Sequence, residues 1–260
     1  MGLHAEVAGE GPAVVLLHAG ICDSRMWDAQ WETFTRSHRV LRFDLRGYGS
    51  SSSEAGTYSH ARDVLDLLAE HDMDRAALVG VSGGGRIALE LAIARPELVT
   101  ALVLVGSGLP GHEWSDALHA VWREEEEAFE ARDLDAAVEV SVRTWVDGPR
   151  RRPEDVEPAV REQVAVMQRR IYELELSRDG QAEEEPLVPD LAERLSEIRA
   201  PTLVLVGEED VPDIHAIAQR LATEILGARL ETIAGAGHVP NMERPEQFDR
   251  LVLGFLETVG

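Results

Sequence analysis

The chain has 260 residues, of which 44% are hydrophobic, so it is long enough for one sizeable α/β domain with an inserted subdomain. Its net charge of −23 argues against nucleic acids and anionic membrane surfaces as partners. All 25 basic residues are arginine, which excludes lysine Schiff-base chemistry. No apolar run approaches the roughly 18 residues of a membrane span or resembles a secretory leader. With a single cysteine, Cys22, and hence no internal disulfide, we expect a cytoplasmic protein.

Short, almost continuously apolar segments alternate with amphipathic ones along most of the chain. Strands are predicted over residues 12–17, 39–43, 76–79, 99–105, 202–206 and 229–233. Helices are predicted over residues 61–71, 86–92, 214–226 and 245–259. Strands that are apolar on both faces are typical of a parallel sheet covered by helices on each side. We therefore expect an α/β fold with a mostly parallel central sheet.

Residues 111–198 break this alternation. Apolar side chains recur there at helical spacing, and no convincing strand stands out. We predict a helical cap over residues 111–198, inserted into a core formed by residues 1–110 and 199–260. The acidic runs at 124–127 and 183–185 are interpreted as solvated, because metal ligands at defined spacing are not evident, and we expect no metal site.

Ser82 stands between glycines at the end of an apolar run, in the segment Gly80-Val81-Ser82-Gly83-Gly84. A predicted strand precedes it and a predicted helix follows, which indicates a tight turn that exposes the hydroxyl at a helix N-terminus. Unpaired N–H groups in that position can stabilise an oxyanion. The G-x-S-x-G pattern arises by chance roughly 0.1 times in a chain of this length. A glycine-rich turn in any α/β protein is therefore the alternative interpretation.

A serine nucleophile needs a base and a group that orients the base. His238 follows the last predicted strand in a glycine-rich loop, and Asp210 follows the preceding strand after a turn at Gly207. Both would lie at the carboxyl ends of strands, where open α/β sheets bind ligands. Their chain order after Ser82 is that of an α/β-hydrolase triad. The neighbouring acids also compete for the role of Asp210; they are Glu208, Glu209 and Asp213.

The same chemistry requires two hydrogen-bond donors for a tetrahedral oxyanion. The N–H of Gly83, directly after the nucleophile, is one candidate. Gly20, in the loop after the strand at 12–17, is the second, with Ile21 next in order. His18 is interpreted as a structural hydrogen-bonding residue of that loop.

Five segments together resemble α/β-hydrolase-fold enzymes of the branch that includes 3-oxoadipate enol-lactonases and related esterases. Besides the serine turn, the matching segments are residues 16–20, 44–51, 203–210 and 237–240, continued by Glu243 and Pro245. The resemblance implies an α/β-hydrolase fold with a helical cap, and residues 144–149 resemble a cap segment of that branch. Two departures are that Gly83 replaces a bulkier residue and that the loop at His18 reads His-Ala-Gly rather than His-Gly.

The resemblance and the residues together predict a serine hydrolase that cleaves a carboxylic ester or lactone of a small molecule without a cofactor. Perhydrolysis, C–C bond hydrolysis or a non-hydrolytic biosynthetic step on the same site are alternatives, as is a ligand-binding protein without turnover.

Side chains of the predicted cap are candidates for the substrate pocket. Trp114, Trp122 and Trp145 are candidates for lining an apolar pocket for an acyl or alcohol group. Core packing would explain these tryptophans equally well. A substrate carboxylate would need a cation, and the candidates are Arg25, Arg86 and Arg143. The sequence does not predict an oligomeric state.

Overall fold

A seven-stranded sheet forms the centre of the computed structural model, which describes residues 2–52, 55–178 and 180–259. The strands are β1 (Ala5–Ala8), β2 (Ala13–Leu17), β3 (Arg39–Phe43), β4 (Gly56–Tyr58), β5 (Ala76–Val81), β6 (Val99–Val105), β7 (Ala182–Glu184), β8 (Thr202–Gly207) and β9 (Arg229–Ile233). Their order in the sheet is β1-β3-β2-β5-β6-β8-β9, while β4 and β7 form a separate pair. The β1–β3 pair is antiparallel, and the other neighbours in the sheet are parallel. The expected mostly parallel sheet is confirmed.

Helices cover both faces of this sheet. They are α1 (Asp28–Thr35), α2 (His60–Glu70), α3 (Gly83–Ala94), α4 (Asp116–Glu130), α5 (Leu134–Val142), α6 (Pro158–Ser177), α7 (Pro212–Glu224), α8 (Pro240–Glu243) and α9 (Pro245–Val259). Alternate strand residues face opposite layers: Val15 and Leu17 belong to the buried cluster that includes residues of α2, α3 and α7, whereas Val14 and Leu16 belong to the cluster that includes residues of α1 and α9. Burying each such side chain stabilises the fold by about 1.5–3 kcal/mol.

Three short strands lie outside the predicted elements. Partly exposed β1 lacks the continuous apolar pattern of a central strand, since it pairs only at the edge of the sheet. The expectation that residues 111–198 hold no strand is wrong, because β7 lies there and pairs with β4. With the sequence Ala-Glu-Glu, β7 carries no apolar alternation that could have predicted it.

The interval between β6 and β8 otherwise holds α4, α5 and α6, while the boundaries of a cap at 111 and 198 stay a prediction. Apolar residues of α5 and α6 join the layer that also contains Val14 and Leu16. Within the described ranges, no helix is both long and apolar enough to cross a lipid bilayer.

Glycines let α3 begin directly against the sheet. A Cβ atom on Gly80 would lie 2.6 Å from the amide nitrogen of Gly85. A Cβ on Gly84 would lie 2.8 Å from the carbonyl oxygen of His18 and closer still to that of Leu17. Because these neighbours are backbone atoms, they cannot move aside by a change of side-chain rotamer. The turn that carries Ser82 is therefore packed too tightly for side chains at either position.

We expect Gly84→Ala to lower the free energy of unfolding by about 1–3 kcal/mol, because the new methyl group must push α3 away from β2. Urea denaturation monitored by far-UV circular dichroism measures the change.

The matched control is Gly254→Ala in α9, where a Cβ would meet nothing within 4 Å. This substitution should raise the free energy of unfolding by about 0.5–1 kcal/mol, since alanine loses less backbone entropy in a helix than glycine. Equal urea midpoints for Gly84→Ala and the wild type would contradict the packing argument.

Candidate active site

Ser82 lies between β5 and α3 with a strained backbone. Its φ of 54° and ψ of −113° place a non-glycine residue in a rarely occupied region, at a cost of about 1–3 kcal/mol. The Ser82 amide donates to the carbonyl of Val105 at 2.9 Å. Its own carbonyl accepts hydrogen bonds from the amides of Arg86 and Gly108, both at 3.1 Å. The surrounding backbone thus holds the serine in this conformation from three sides.

Asp210 and His238 form a buried hydrogen-bonded pair on the loops after β8 and β9. The Asp210 Oδ2 and His238 Nδ1 atoms are 2.8 Å apart, and both side chains are at most 2% exposed. The second carboxylate oxygen, Oδ1, accepts from the amide of Val211 at 2.8 Å. A carboxylate only accepts, so Nδ1 carries the proton and the neutral ring keeps a lone pair on Nε2. This arrangement can orient an imidazole to act as a base.

The other three acids of this region have different partners. Glu208 accepts from the amide of Gly235 at 2.9 Å, and Glu209 pairs with Arg150 at 2.9 Å. Asp213 accepts from the amide and hydroxyl of Ser115 at 2.7 and 2.8 Å. Among the four candidates, Asp210 is therefore the acid whose carboxylate contacts His238.

The loop 106–108 connects Ser82 to the Asp210–His238 pair, and sequence reasoning missed it. Gly106 adopts a φ of +49°, and a Cβ there would lie 3.0 Å from His238 Nδ1 and 3.2 Å from Asp210 Oδ2. Two residues later, the amide of Gly108 bonds to the Ser82 carbonyl. A glycine directly after a largely apolar strand was the available signal. The serine and the buried pair consequently lie at one edge of the sheet.

The two predicted oxyanion donors lie side by side. The amide nitrogen of Gly20 is 3.9 Å from the position that a Cβ on Gly83 would take. Gly83 opens α3, where the first N–H groups lack helical partners. This part of the site can therefore offer backbone donors to an anion.

His18 holds the Gly20 loop through both ring nitrogens. Its Nε2 accepts from the amide of Leu45 at 2.9 Å, and its Nδ1 lies 2.8 Å from the carbonyl of Ala19. Burial lowers the pKa of this histidine, which favours the neutral ring that such bonding requires. These contacts are those of a structural residue.

Of the three tryptophans predicted to line a pocket, Trp145 lies against the candidate base. Its ring centroid is 4.6 Å from that of His238, and its carbonyl accepts from the His238 amide at 3.0 Å. Trp114 and Trp122 pack edge to face on each other at 5.3 Å and also contact His112 and His119, respectively. Of these three residues, Trp145 is thus the best candidate for a pocket residue, because it contacts His238.

The candidate cations all have carboxylate partners. Arg25 pairs with Asp23 at 2.6 Å, Arg86 with Glu184 at 2.6 Å, and Arg143 with Glu124 at 2.9 Å. A substrate carboxylate would have to compete with these acids.

Two further features bear on the chemistry of the site. Cys22 is buried, and desolvation raises the pKa of its thiol well above the usual value, which opposes thiolate formation. Among the residues that the structure describes, no group of three or more His, Cys, Asp or Glu side chains is placed to hold a metal ion.

An apolar cavity of about 520 Å³ adjoins the acid side of the site. It lies between α4, the segment 143–151 and the start of α7, and the charged residues Arg143, Arg151 and Asp213 also line it. Leu118, Val121 and Val211 contribute to its walls, and Val211 directly follows Asp210.

We expect Gly106→Ala to separate Asp210 from His238, because the new methyl group would press on both side chains at a strained φ. Nitrogen-15 NMR of the histidine side chains would register the loss of the hydrogen bond at His238 Nδ1. Gly108→Ala is the control, since its nearest neighbour, the Ser82 carbonyl oxygen, lies at 3.8 Å. An unchanged His238 signal in Gly106→Ala would contradict this prediction.

Comparison with known proteins finds relatives that match nearly the whole chain. The model of the alpha/beta hydrolase family matches residues 14–251. The structure of a hydrolase from Pseudomonas aeruginosa PA01 is 30% identical, with a TM-score of 0.78, over 97% of this chain and 93% of that one. The enol-lactonase from Burkholderia xenovorans LB400 is 26% identical, with a TM-score of 0.78, over 98% and 96% of the two chains. A pimeloyl-[acyl-carrier protein] methyl ester esterase from Nitrosomonas europaea is 28% identical over 95% of this chain and 96% of its own length.

Proposed function

The chain belongs to the alpha/beta hydrolase family, and from that premise we propose that it is a serine hydrolase cleaving a carboxylic ester or lactone of a small molecule. The observation that carries the proposal is the buried hydrogen bond between Asp210 and His238, at the sheet edge where the strained Ser82 stands. Such strain in a well-packed site is typical of functional positions. The names of the relatives, an enol-lactonase and a methyl ester esterase, support the substrate class.

In the proposed first step, the Ser82 hydroxyl oxygen attacks the substrate carbonyl carbon while His238 Nε2 takes the hydroxyl proton. Asp210 stabilises the imidazolium that forms, through the 2.8 Å bond to Nδ1. The carbonyl electron pair moves onto oxygen, where the amides of Gly83 and Gly20 donate to it. Each such donor supports catalysis by about 3 kcal/mol.

Collapse of this tetrahedral intermediate breaks the bond to the alcohol oxygen, which receives the proton from His238. An acyl group then remains on Ser82. A water molecule repeats the sequence, giving its proton to His238 Nε2 and releasing the carboxylic acid and the serine hydroxyl. A lactone opens in the same way, with its alcohol oxygen still attached to the acyl chain.

Gly83 and Trp145 shape the pocket in this proposal. Gly83 has no side chain to narrow the space beside the oxyanion, and Trp145 supplies an apolar wall next to His238. Trp114 and Trp122 would then support the cap rather than contact the substrate directly, since they pack on each other.

Replacing Ser82 by alanine should abolish labelling by a fluorophosphonate and lower kcat on p-nitrophenyl esters by about 10⁴–10⁶-fold. Mass spectrometry of the adduct measures the first effect. Ser37→Ala, at an exposed position after α1, should label as the wild type does. An unlabelled wild type without turnover of any ester or lactone would count against a hydrolase and for a ligand-binding protein.

Replacing Asp210 by asparagine should lower kcat by about 10⁴-fold, because an amide oxygen no longer carries the charge that stabilises the imidazolium. Asp213→Asn is the matched control, since that carboxylate binds Ser115 rather than His238. Equal losses in the two variants would overturn the assignment of the acid.

A substrate panel then separates the reactions that one triad can support. Simple esters, lactones, a carboxylic acid with hydrogen peroxide, and a diketone each report one of them. Turnover of the esters or lactones with the highest kcat/KM is expected; faster reaction with peroxide or of the diketone would overturn the substrate class.

A further inference from the structure

A buried arginine of the cap region contacts the loop that carries His238. The Arg151 side chain is 10% exposed, and its guanidinium donates to the carbonyl of Gly235 at 2.9 Å and to Glu243 Oε2 at 2.6 Å. It also donates to the carbonyls of Val146 and Asp147, in the turn that follows α5. One side chain therefore bonds at once to the cap turn and to the histidine loop.

Glu243 links Arg151 to Gly237, the residue before His238. Its second oxygen, Oε1, accepts from the amide of Gly237 at 2.7 Å. A Cβ on Gly237 would lie 2.6 Å from Arg151 Nη2, so the guanidinium packs directly on that residue. Burial raises the pKa of the Glu243 carboxyl, and Arg151 and Gly237 oppose the rise by favouring the charged form.

His238 itself has two contacts with the same cap turn. Its amide donates to the carbonyl of Trp145, and its ring lies against the Trp145 ring. The cap turn, rather than the sheet alone, therefore sets the position of the imidazole.

The loop with Asp210 is held from the same segment. Arg150 pairs with Glu209 and donates to the carbonyl of Glu208. Gly148 lies so close to the carbonyl of Glu209 that a Cβ could not fit there. Residues 143–151, which we call the clamp segment, thus bind the loops of both members of the buried pair.

We propose that Arg151 is a positioning residue. Through its bonds to Glu243 and to the other residues of the clamp segment, it holds His238 in place relative to Asp210 and Ser82. The inference rests on the proposed function of His238 as the base. A buried ion pair contributes little net stability, because desolvation offsets the Coulomb attraction. Its geometric effect is larger, since a displacement of about 1 Å in a reacting group can cost about 100-fold in rate.

Because the clamp segment bonds to both loops, a displacement of the cap turn would disturb His238 and Asp210 together.

The test compares Arg151→Met with Arg152→Met. The neighbouring Arg152 is 71% exposed, and its ion pairs within the described part of the chain are with Glu154 and Asp155 of its own surface turn. For each variant, kcat and KM on a p-nitrophenyl ester, the fluorophosphonate labelling rate, and hydrogen–deuterium exchange of residues 234–239 are measured.

In Arg151→Met, kcat and the labelling rate should fall about 10- to 100-fold, KM should stay near the wild-type value, and residues 234–239 should exchange faster. Arg151→Lys should recover part of the lost kcat, because an ammonium can pair with Glu243 but cannot reproduce the planar fork of donors. Arg152→Met should match the wild type in all four measurements.

Two variants keep the inference testable should Arg151→Met not fold. Arg151→Lys keeps the charge, and Glu243→Gln keeps an oxygen that can accept from Gly237 while removing the ion pair. Both should lower kcat and speed exchange of residues 234–239. Wild-type kcat and exchange in these two variants would overturn the proposal.

A folded Arg151→Met with unchanged kcat would overturn the proposal as well. So would a raised KM at constant kcat, because it would mean that Arg151 only binds substrate.

Failure of the proposed hydrolase function would give a different result. A wild type with neither adduct nor turnover refutes the hydrolase and the catalytic part of this inference, whereas exchange still reports whether Arg151 orders the loop.

Discussion

Parallel pairing of β5, β6, β8 and β9 is the constraint on which the rest of the molecule depends. Because the strands run the same way, the segments that follow them emerge at one edge of the sheet. Ser82 follows β5, Asp210 follows β8 and His238 follows β9. The same pairing that buries apolar side chains on both faces of the sheet therefore places these three polar residues at one edge.

That edge is also where the fold tolerates its least favourable local features. Ser82 has a strained backbone, and Asp210 and His238 are polar groups with almost no exposure to water. Each is stabilised by partners that the core positions: three backbone hydrogen bonds for the serine, and a 2.8 Å bond between the other two. A rigid sheet beneath the site offsets strain that a flexible loop could not maintain.

Much of the fold could be predicted because its signals are local. Six strands lie where the sequence predicts them, and the turn at Ser82 follows from its glycines. The structure brings Asp210 and His238 together as the chain order indicated, while their roles remain proposals. Partly exposed β1 and the acidic strand β7 lack such a signal, since they are defined by pairing with distant segments. The same holds for Gly106, whose importance lies in what a side chain there would strike.

By itself, the sequence determined the parallel α/β architecture, the family and the candidate residues at the strand ends, because periodicity and short motifs encode them within a few neighbouring positions. Only the tertiary structure decided which acid contacts His238, which acids pair with Arg25, Arg86 and Arg143, and that Arg151 reaches Glu243. Two of these pairs, Arg86 with Glu184 and Arg151 with Glu243, join residues that are more than 90 positions apart in the chain. Contacts over such separations depend on how elements pack, and no local pattern in the chain records them.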